Sequence, residues 1–300
     1  MGANRTVLVT GSSGYVGRRL IARMAERGTP VRALVHRSRP DLPGGVEAVE
    51  GDVTDASTLA RACEGVDAIV NLASITADRK PPRGGYDRVN AEGPAALAAA
   101  ARTAGVRRFV HLAGIDTTEG EPGPYLAGRR RGDTAVLASG IEFVAILRPS
   151  IMFGGRDSAF VKALARLVKL APAVPVPGDG TVRIQMVWVE DVVRCAIQLT
   201  DDMRPGQFPI GGPDHLTYDE VLDTIGEGLG KRHVRKLHLP VPVFSVQARV
   251  LALLPSPPLT PAALELFASD NTTTPDAIEQ QFGFRPRGFA EHVRREGLFA

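Results

Sequence analysis

Short β-branched apolar runs alternate along this chain with stretches whose apolar residues recur at helical spacing, and the alternation starts almost at once. Thr6–Thr10 reads as a strand, and Arg18 to Glu26 has the periodicity of a helix over Gly14–Arg27. Further strands are predicted at Val31–Val35, Glu47–Glu50, Ala68–Leu72, Arg108–Leu112 and Phe143–Leu147. Helices are predicted between them at Ala56–Cys63, Asn90–Thr103 and Tyr125–Ala138, with loops at Ser38–Gly45 and Ala77–Gly85. Short apolar strands interleaved with helices imply a parallel sheet covered on both faces.

After Arg148-Pro149 the alternation degrades. Phe160–Leu170 reads as a helix, Pro172–Gly180 as a loop, Arg183–Val189 as a strand and Asp191–Leu199 as a helix. Prolines then dominate around short helices at Tyr218–Leu229 and Pro261–Ser269. The expected fold is α/β, a Rossmann-type doubly wound parallel sheet built from residues 1–150 and 184–203. A smaller lobe from 151–183 and 204–300 is expected to close over the carboxyl edge of the sheet, where open α/β folds bind ligands.

Composition narrows the function classes. With 44% hydrophobic residues among 300, the chain can bury one large core or two unequal ones. A net charge of +3, 5% aromatics and no concentrated basic patch argue against a nucleic-acid partner. The run Arg129-Arg130-Arg131 reads as a helix face or an active-site feature. Cys63 and Cys195 lie far apart in apolar helical patterns, as buried thiols of a reducing compartment do. No cluster has metal-ligand spacing, so no metal is expected. Met1–Arg5 is polar and runs into the first strand, so no secretory signal is expected. No apolar stretch reaches the roughly 18 residues that span a bilayer. A cytoplasmic protein is the expectation. Leu239–Leu254 is expected to pack as a helix on the main domain. Peripheral docking on a membrane or protein partner through 243–254 is the alternative.

The densest chemistry follows the first strand. Gly11-Ser12-Ser13-Gly14-Tyr15-Val16-Gly17 places glycines at G-x-x-G-x-x-G between a strand and a helix. Glycine lets backbone N–H groups approach a pyrophosphate, and the helix N-terminus adds positive potential at the same place. At the end of the second strand, Val35-His36-Arg37-Ser38 carries no carboxylate to bind a ribose 2′-hydroxyl. Arg37 offers a planar fork for a 2′-phosphate, with Ser38 or Ser12 as hydroxyl donors, so NADP is expected over NAD.

These motifs resemble the extended or atypical short-chain dehydrogenases/reductases, the NAD-dependent epimerase/dehydratase group. Thr10 to Gly17 looks like its T-G-x-x-G-x-x-G loop, and Gly51-Asp52-Val53-Thr54-Asp55 like its G-D-x-x-D. Asn71-Leu72-Ala73-Ser74 takes the place of N-x-A-[AG], and Val89-Asn90-x-x-Gly93 that of V-N-x-x-G. Leu147 to Gly154, with Pro149 and Ile151, resembles L-R-P-x-x-x-[YF]-G, and Trp188 to Val192 resembles H-V-x-D-V. Within that group the likeness is to the branch of the accessory NAD(P)H-binding subunit of respiratory complex I, on Leu266 to Asn271.

The resemblance implies a dinucleotide site drawing on the glycine loop, His36, Arg37, Ser38, Asp52, Val53, Leu72, Ala73, Ser74, Asn90, Leu112, Tyr125, Arg129, Pro149 and Ile151. Asp52 would accept from the adenine amino group, while Asn71 and Asn90 would fix backbone near the cofactor. Asp191 is read as structural, an N-cap.

The family's catalytic pattern is Tyr-x-x-x-Lys on a helix, which puts both side chains on one face, plus a serine on the preceding strand. Here Tyr125-Leu-Ala-Gly128-Arg129-Arg-Arg-Gly132-Asp133 places Arg129 at the lysine position. His111-Leu112-Ala113-Gly114 lacks the serine, with Thr117 or Thr118 as a substitute hydroxyl; His111 reads as a satisfied core histidine. Arginine keeps the charge but does not release a proton. The expected function is therefore an NADP-dependent oxidoreductase with an altered triad, acting on a small-molecule carbonyl or activated double bond. The alternatives are a non-catalytic NADP(H)-binding sensor or accessory protein of a membrane complex, and a sugar-nucleotide epimerase or dehydratase. Nothing in the sequence fixes the oligomeric state.

Overall fold

The computed structural model describes residues 5–36, 41–79, 81–117, 121–240, 242–243, 260, 262–263 and 269–300. The first strands and helices follow the alternation: β1 (Val7–Thr10), α1 (Tyr15–Glu26), β2 (Val31–Val35), β3 (Glu47–Glu50), α2 (Ala56–Cys63) and β4 (Ala68–Asn71). A π-helical turn at Asp87–Glu92 runs into α3 (Gly93–Thr103), then β5 (Arg108–Leu112), α4 (Pro124–Leu137) and β6 (Phe143–Pro149) follow. The expected helix from Asn90 thus begins three residues early, as a wider coil. Beyond lie β7 (Met152–Phe153), α5 (Ala159–Leu170), β8 (Val174–Pro177), β9 (Arg183–Ile184), β10 (Val187–Trp188) and α6 (Val189–Asp202). They are followed by β11 (Gly206–Ile210), β12 (Leu216–Thr217), α7 (Tyr218–Gly228), β13 (Lys236–Leu239), α8 (Ala277–Phe282) and α9 (Phe289–Glu296).

The central sheet has seven parallel strands in the order β11-β6-β5-β4-β1-β2-β3, with the strand order reversing direction between β1 and β4. Alternate side chains of each strand enter opposite cores. Val7, Val9, Val70, Val110 and Leu147 pack with Leu20, Ile21, Val192 and Ala196 of α1 and α6. Leu8, Ile69, Phe109 and Ile146 face Leu59, Leu97 and Val136 of α2, α3 and α4. Burial on both faces is why these strands read as continuous apolar runs.

The second half departs from expectation at several points. The region read as a loop at Pro172–Gly180 contains β8, paired in parallel with β13. The stretch read as one strand, Arg183–Val189, is two. The fully buried Gln185 separates them: its backbone N–H donates to the Asn271 carbonyl, and its side chain donates to the Gly212 carbonyl and accepts the Thr273 amide. β11 is the seventh strand of the main sheet although it follows residue 203, and Ile278 and Phe282 of α8 join the main core. Gly206 and Pro209 in β11 weaken its strand signal. The smaller lobe has its own core, in which Phe153, Val161, Leu164, Val221, Ile225 and Phe289 meet. Asp191 is not an N-cap: Trp188 holds that position, and the buried Asp191 carboxylate accepts the Arg287 amide at 2.8 Å. Of Pro261–Ser269 and 243–254, all but Ala262, Ala263, Ser269 and an exposed Val243 lie outside the described residues. Cys63 and Cys195 are buried, unbridged thiols, and burial pushes that of Cys63 up to about 11. Among the described residues no helix is long and apolar enough to cross a membrane.

Candidate active site

The carboxyl ends of the central strands carry the site. Thr10 ends β1, and its hydroxyl donates to Asn71 Oδ1 at 2.6 Å while accepting the Leu72 and Ala73 amides at 3.2 and 3.3 Å. That contact brings the glycine loop against the end of β4. Gly11 has φ +65°, and a β-carbon there would stand 2.7 Å from the Leu72 carbonyl carbon and oxygen. A β-carbon on Gly17 would overlap the Gly11 carbonyl oxygen. α1 then opens on Gly14 with no side-chain cap and no acidic residue in its first turn, so its N-terminal potential is left for an anion. Ser13 and Gly14 are exposed there.

Two loop side chains are engaged elsewhere. The buried Ser12 hydroxyl donates to the Leu34 carbonyl at 2.7 Å, tying the loop to β2; this corrects its expected role as a phosphate donor. Tyr15 donates to the Gly154 carbonyl at 2.7 Å beneath Arg19, and burial raises its pKa. Val16 is core.

On the other flank, His36 Nε2 lies 3.1 Å from Asp52 Oδ2 at the ends of β2 and β3. Burial opposes the Asp52 charge, but the Thr54 amide, which donates to Oδ1 at 2.9 Å, and His36 hold its carboxyl below the usual range. Val53 is buried against Gly93. Arg37 and Ser38 lie outside the described residues.

Asn90 fixes the loop after β4: its amide accepts from the Ile75 N–H at 2.8 Å and donates to the Ile75 carbonyl at 2.9 Å, with Ser74 alongside. Pro149 and Ile151 sit where β6 ends, the Pro149 carbonyl accepting Ile115 N–H and the Ile151 N–H donating to Asn271 Oδ1. Leu112 is half-buried.

α4 presents Tyr125 and Arg129 one turn apart. Arg129 Nη1 donates to the Tyr125 hydroxyl at 2.7 Å, with the guanidinium 5.5 Å from the ring centroid. Burial works against the Arg129 charge, yet Tyr125, Asp133 and Asp116 hold its pKa above the ordinary arginine value. The guanidinium fills the space beside Gly114, where a β-carbon would meet Nη2 at 2.8 Å. Tyr125 is only 3% exposed, packed edge-on to Tyr86 and against Ala77 and Ala262. Thr117, expected as the substitute hydroxyl, bonds instead to the Asp270 carbonyl and Ser269, so it belongs to the closure of the C-terminal segment. Thr118 lies outside the described residues.

Sequence reasoning missed a polar row that crosses the strand ends. Asn71 Nδ2 donates to His111 Nδ1 at 3.0 Å, which turns Nε2 toward Asp133 Oδ1 at 3.2 Å. Arg148 of β6 then meets Asp133 Oδ2 at 2.7 Å. Burial alone would push the Asp133 carboxyl up; His111, Arg148 and Arg129 around it hold it below the usual range. The signal was present in register: Thr10, Asn71 and His111 are aligned neighbours on β1, β4 and β5. Ser74, Asn90, His111, Arg129 and Asp133 line a cavity of about 10 Å³, room for a single water. A shallower cleft of about 500 Å³ opens beyond Asp133 between α4 and the β6–β11 edge. There Arg130 grips Asp116 at 2.5 and 3.0 Å and Arg148 reaches Gln207 at 3.0 Å, so its polar groups satisfy one another.

The glycine loop, the ordered motifs and the tyrosine-bearing helix meet at one sheet edge, and the model of the NAD dependent epimerase/dehydratase family matches residues 7–211. The chain belongs to the NAD-dependent epimerase/dehydratase family. A ceramide reductase of Caulobacter vibrioides (strain NA1000 / CB15N) is 30% identical over 256 residues, covering 80% of this chain and 75% of its own. A 2-alkyl-3-oxoalkanoate reductase of Stenotrophomonas maltophilia (strain K279a) is 24% identical over 326 residues, covering 96% and 97%. The UDP-glucose 4-epimerase of Thermus thermophilus, solved in complex with NAD, has the same Rossmann-type fold. It superposes with a TM-score of 0.71 at 20% identity, over 98% of this chain and 97% of its own. Kinship is thereby placed at the level of this epimerase/dehydratase family; the likeness to the complex I subunit branch stays an expectation from Leu266 to Asn271.

Proposed function

We propose that this family member is a cytoplasmic, NADP-dependent oxidoreductase acting on a carbonyl or activated double bond of a small molecule. The observation that carries the reading is the 2.7 Å contact from Arg129 to the Tyr125 hydroxyl at the carboxyl edge of the sheet. Two relatives named as reductases favour it over a sugar-nucleotide epimerase.

The residues present fit a dinucleotide. A bare glycine loop closes on β4 where a side chain would collide, and an uncapped helix start faces the same place. The Gly11–Gly17 amides would hold the pyrophosphate, Asp52 the adenine and Arg37 the 2′-phosphate. When bound, the dinucleotide supplies or accepts hydride at its nicotinamide C4. Tyr125 donates the proton to the substrate oxygen, and the Arg129 N–H bond stabilises the negative charge left on the phenol. Arg129 acts as a fixed charge and not as a proton carrier.

A second reading is favoured by one observation: Ala113 and Gly114 bring no hydroxyl, and that of Thr117 is turned away. It is a non-catalytic NADP(H)-binding protein. Titration with NADPH and NADH, followed by cofactor fluorescence, separates the cases when paired with a carbonyl-substrate screen. Tight NADPH binding with turnover lost in Tyr125→Phe supports the enzyme. Tight binding with no turnover on any substrate leaves the second reading, and binding of neither cofactor defeats both.

A further inference from the structure

Basic side chains that the sequence scatters are brought together on the smaller lobe. α5 buries Val161, Leu164, Ala165 and Val168 and leaves Lys162, Arg166 and Lys169 exposed, a stripe at helical spacing along its outer side. Lys231 joins that stripe, its ammonium donating to the Val168 carbonyl in the last turn of α5. Arg235 follows at the neighbouring strand, its carbonyl accepting the Val174 N–H at 2.8 Å, with exposed Arg232 between. Among the described residues none of Lys162, Arg166, Lys169, Arg232 and Arg235 has an ion-pair partner.

The carboxylates of the adjoining α7 are already engaged. Asp223 holds Lys236, Asp219 holds His238 and Lys236, Glu227 holds Arg294, and Glu220 closes a capping box with Thr217. None of these carboxylates is paired with a cation of the stripe or with Arg232 or Arg235.

Two large apolar side chains lie next to these cations along the chain: Leu170, 68% exposed and following Lys169 at the end of α5, and Leu237, 52% exposed on β13 two residues past Arg235. A face for single-stranded nucleic acid would interleave exposed aromatics for stacking, and among the described residues α5 exposes none beside its cations. Exposed leucines beside lysine and arginine match a surface that is apolar within and anionic at its rim. The leucines would enter the acyl boundary while the long basic stems reach the headgroups. We propose that this face of the smaller lobe docks on membranes that carry anionic lipid. The inference is independent of the reductase reading, because docking requires no turnover.

The test is co-sedimentation of the full chain with phosphatidylcholine vesicles, with and without phosphatidylglycerol, at low and high salt. The expected result is capture by phosphatidylglycerol-containing vesicles only, weakening as salt rises. The triple variant Lys162→Gln, Arg166→Gln, Lys169→Gln should lower partitioning on the order of a hundredfold. Leu170→Ser should weaken it with the salt dependence kept. Unchanged melting temperature and cofactor affinity show that the variants fold; if the triple variant does not, Arg166→Gln beside Leu170→Ser makes the same comparison. Failure of the parent chain to sediment with anionic vesicles overturns the proposal, as does a triple variant that binds as well as the parent. Binding to duplex DNA without vesicle capture also overturns it.

Discussion

Gly132 packs directly on the backbone of Asn90: a β-carbon on that glycine would overlap the Asn90 carbonyl oxygen. One turn earlier, Gly128 lies against the Tyr86 carbonyl, 3.1 Å from where its β-carbon would stand. The two glycines let α4 sit close to the π-helical turn, and this places Tyr125 and Arg129, on the adjoining face, at the sheet edge. The widened turn and the glycine stripe are therefore one device. Gly132→Ala must push the helices apart. Overpacking against backbone, less the helix-propensity gain of alanine, is expected to cost about 2 kcal/mol. Urea unfolding measures the loss, and turnover should fall with it, because the same contact aims Tyr125.

Tyr125 and Arg129 make separable contributions. Tyr125→Phe removes the proposed proton donor and leaves the glycine loop untouched, so turnover should drop by roughly 10²–10⁴ with cofactor affinity unchanged. Arg129→Lys keeps the charge and adds a group that can pass a proton, so it should retain or raise turnover, whereas Arg129→Met should abolish it. Steady-state kinetics on one carbonyl substrate decides the order.

The proposed NADP preference rests on Arg37 and not on the Ser12 hydroxyl. The Ser12 hydroxyl is bonded to the Leu34 carbonyl inside the protein. Ser12→Ala should cost about 1 kcal/mol of stability and leave the ratio of NADPH to NADH affinity unchanged. Arg37→Ala should lower that ratio towards one. Fluorescence titration of both variants checks the pair.

Asp191 should make stability depend on pH in an uncommon direction. Burial raises its pKa from 3.8 to about 6, against the pull of the Arg287 amide and the nearby arginines. The folded chain thus binds this proton more firmly than the unfolded chain does. Its contribution is complete below about pH 4 and is lost as pH rises through 6. Asp191→Asn keeps an acceptor for the Arg287 amide without the charge. Relative to the parent, the variant should gain stability between pH 4 and 7, up to about 3 kcal/mol. Denaturant midpoints across that range test it; a constant difference would contradict it.

The sequence by itself determined six of the seven strands of the sheet and the glycine loop. Both are local: strands buried on two faces must read as apolar runs, and a backbone that crowds Leu72 at φ +65° must be glycine at position 11. It also set Tyr125 and Arg129 on one helix face, since four residues make about one turn. Only the tertiary structure decided what each hydroxyl and charge does. Ser12 and Thr117 look free as letters, yet one closes on β2 and the other on Asp270. His111, Asp133 and Arg148 look unrelated until β5, α4 and β6 bring them into one buried row. β11 and β13 are weak as isolated strands and exist because neighbouring edges supply their partners. A buried polar group must find its partner, and where the partner lies far along the chain, folding alone chooses it.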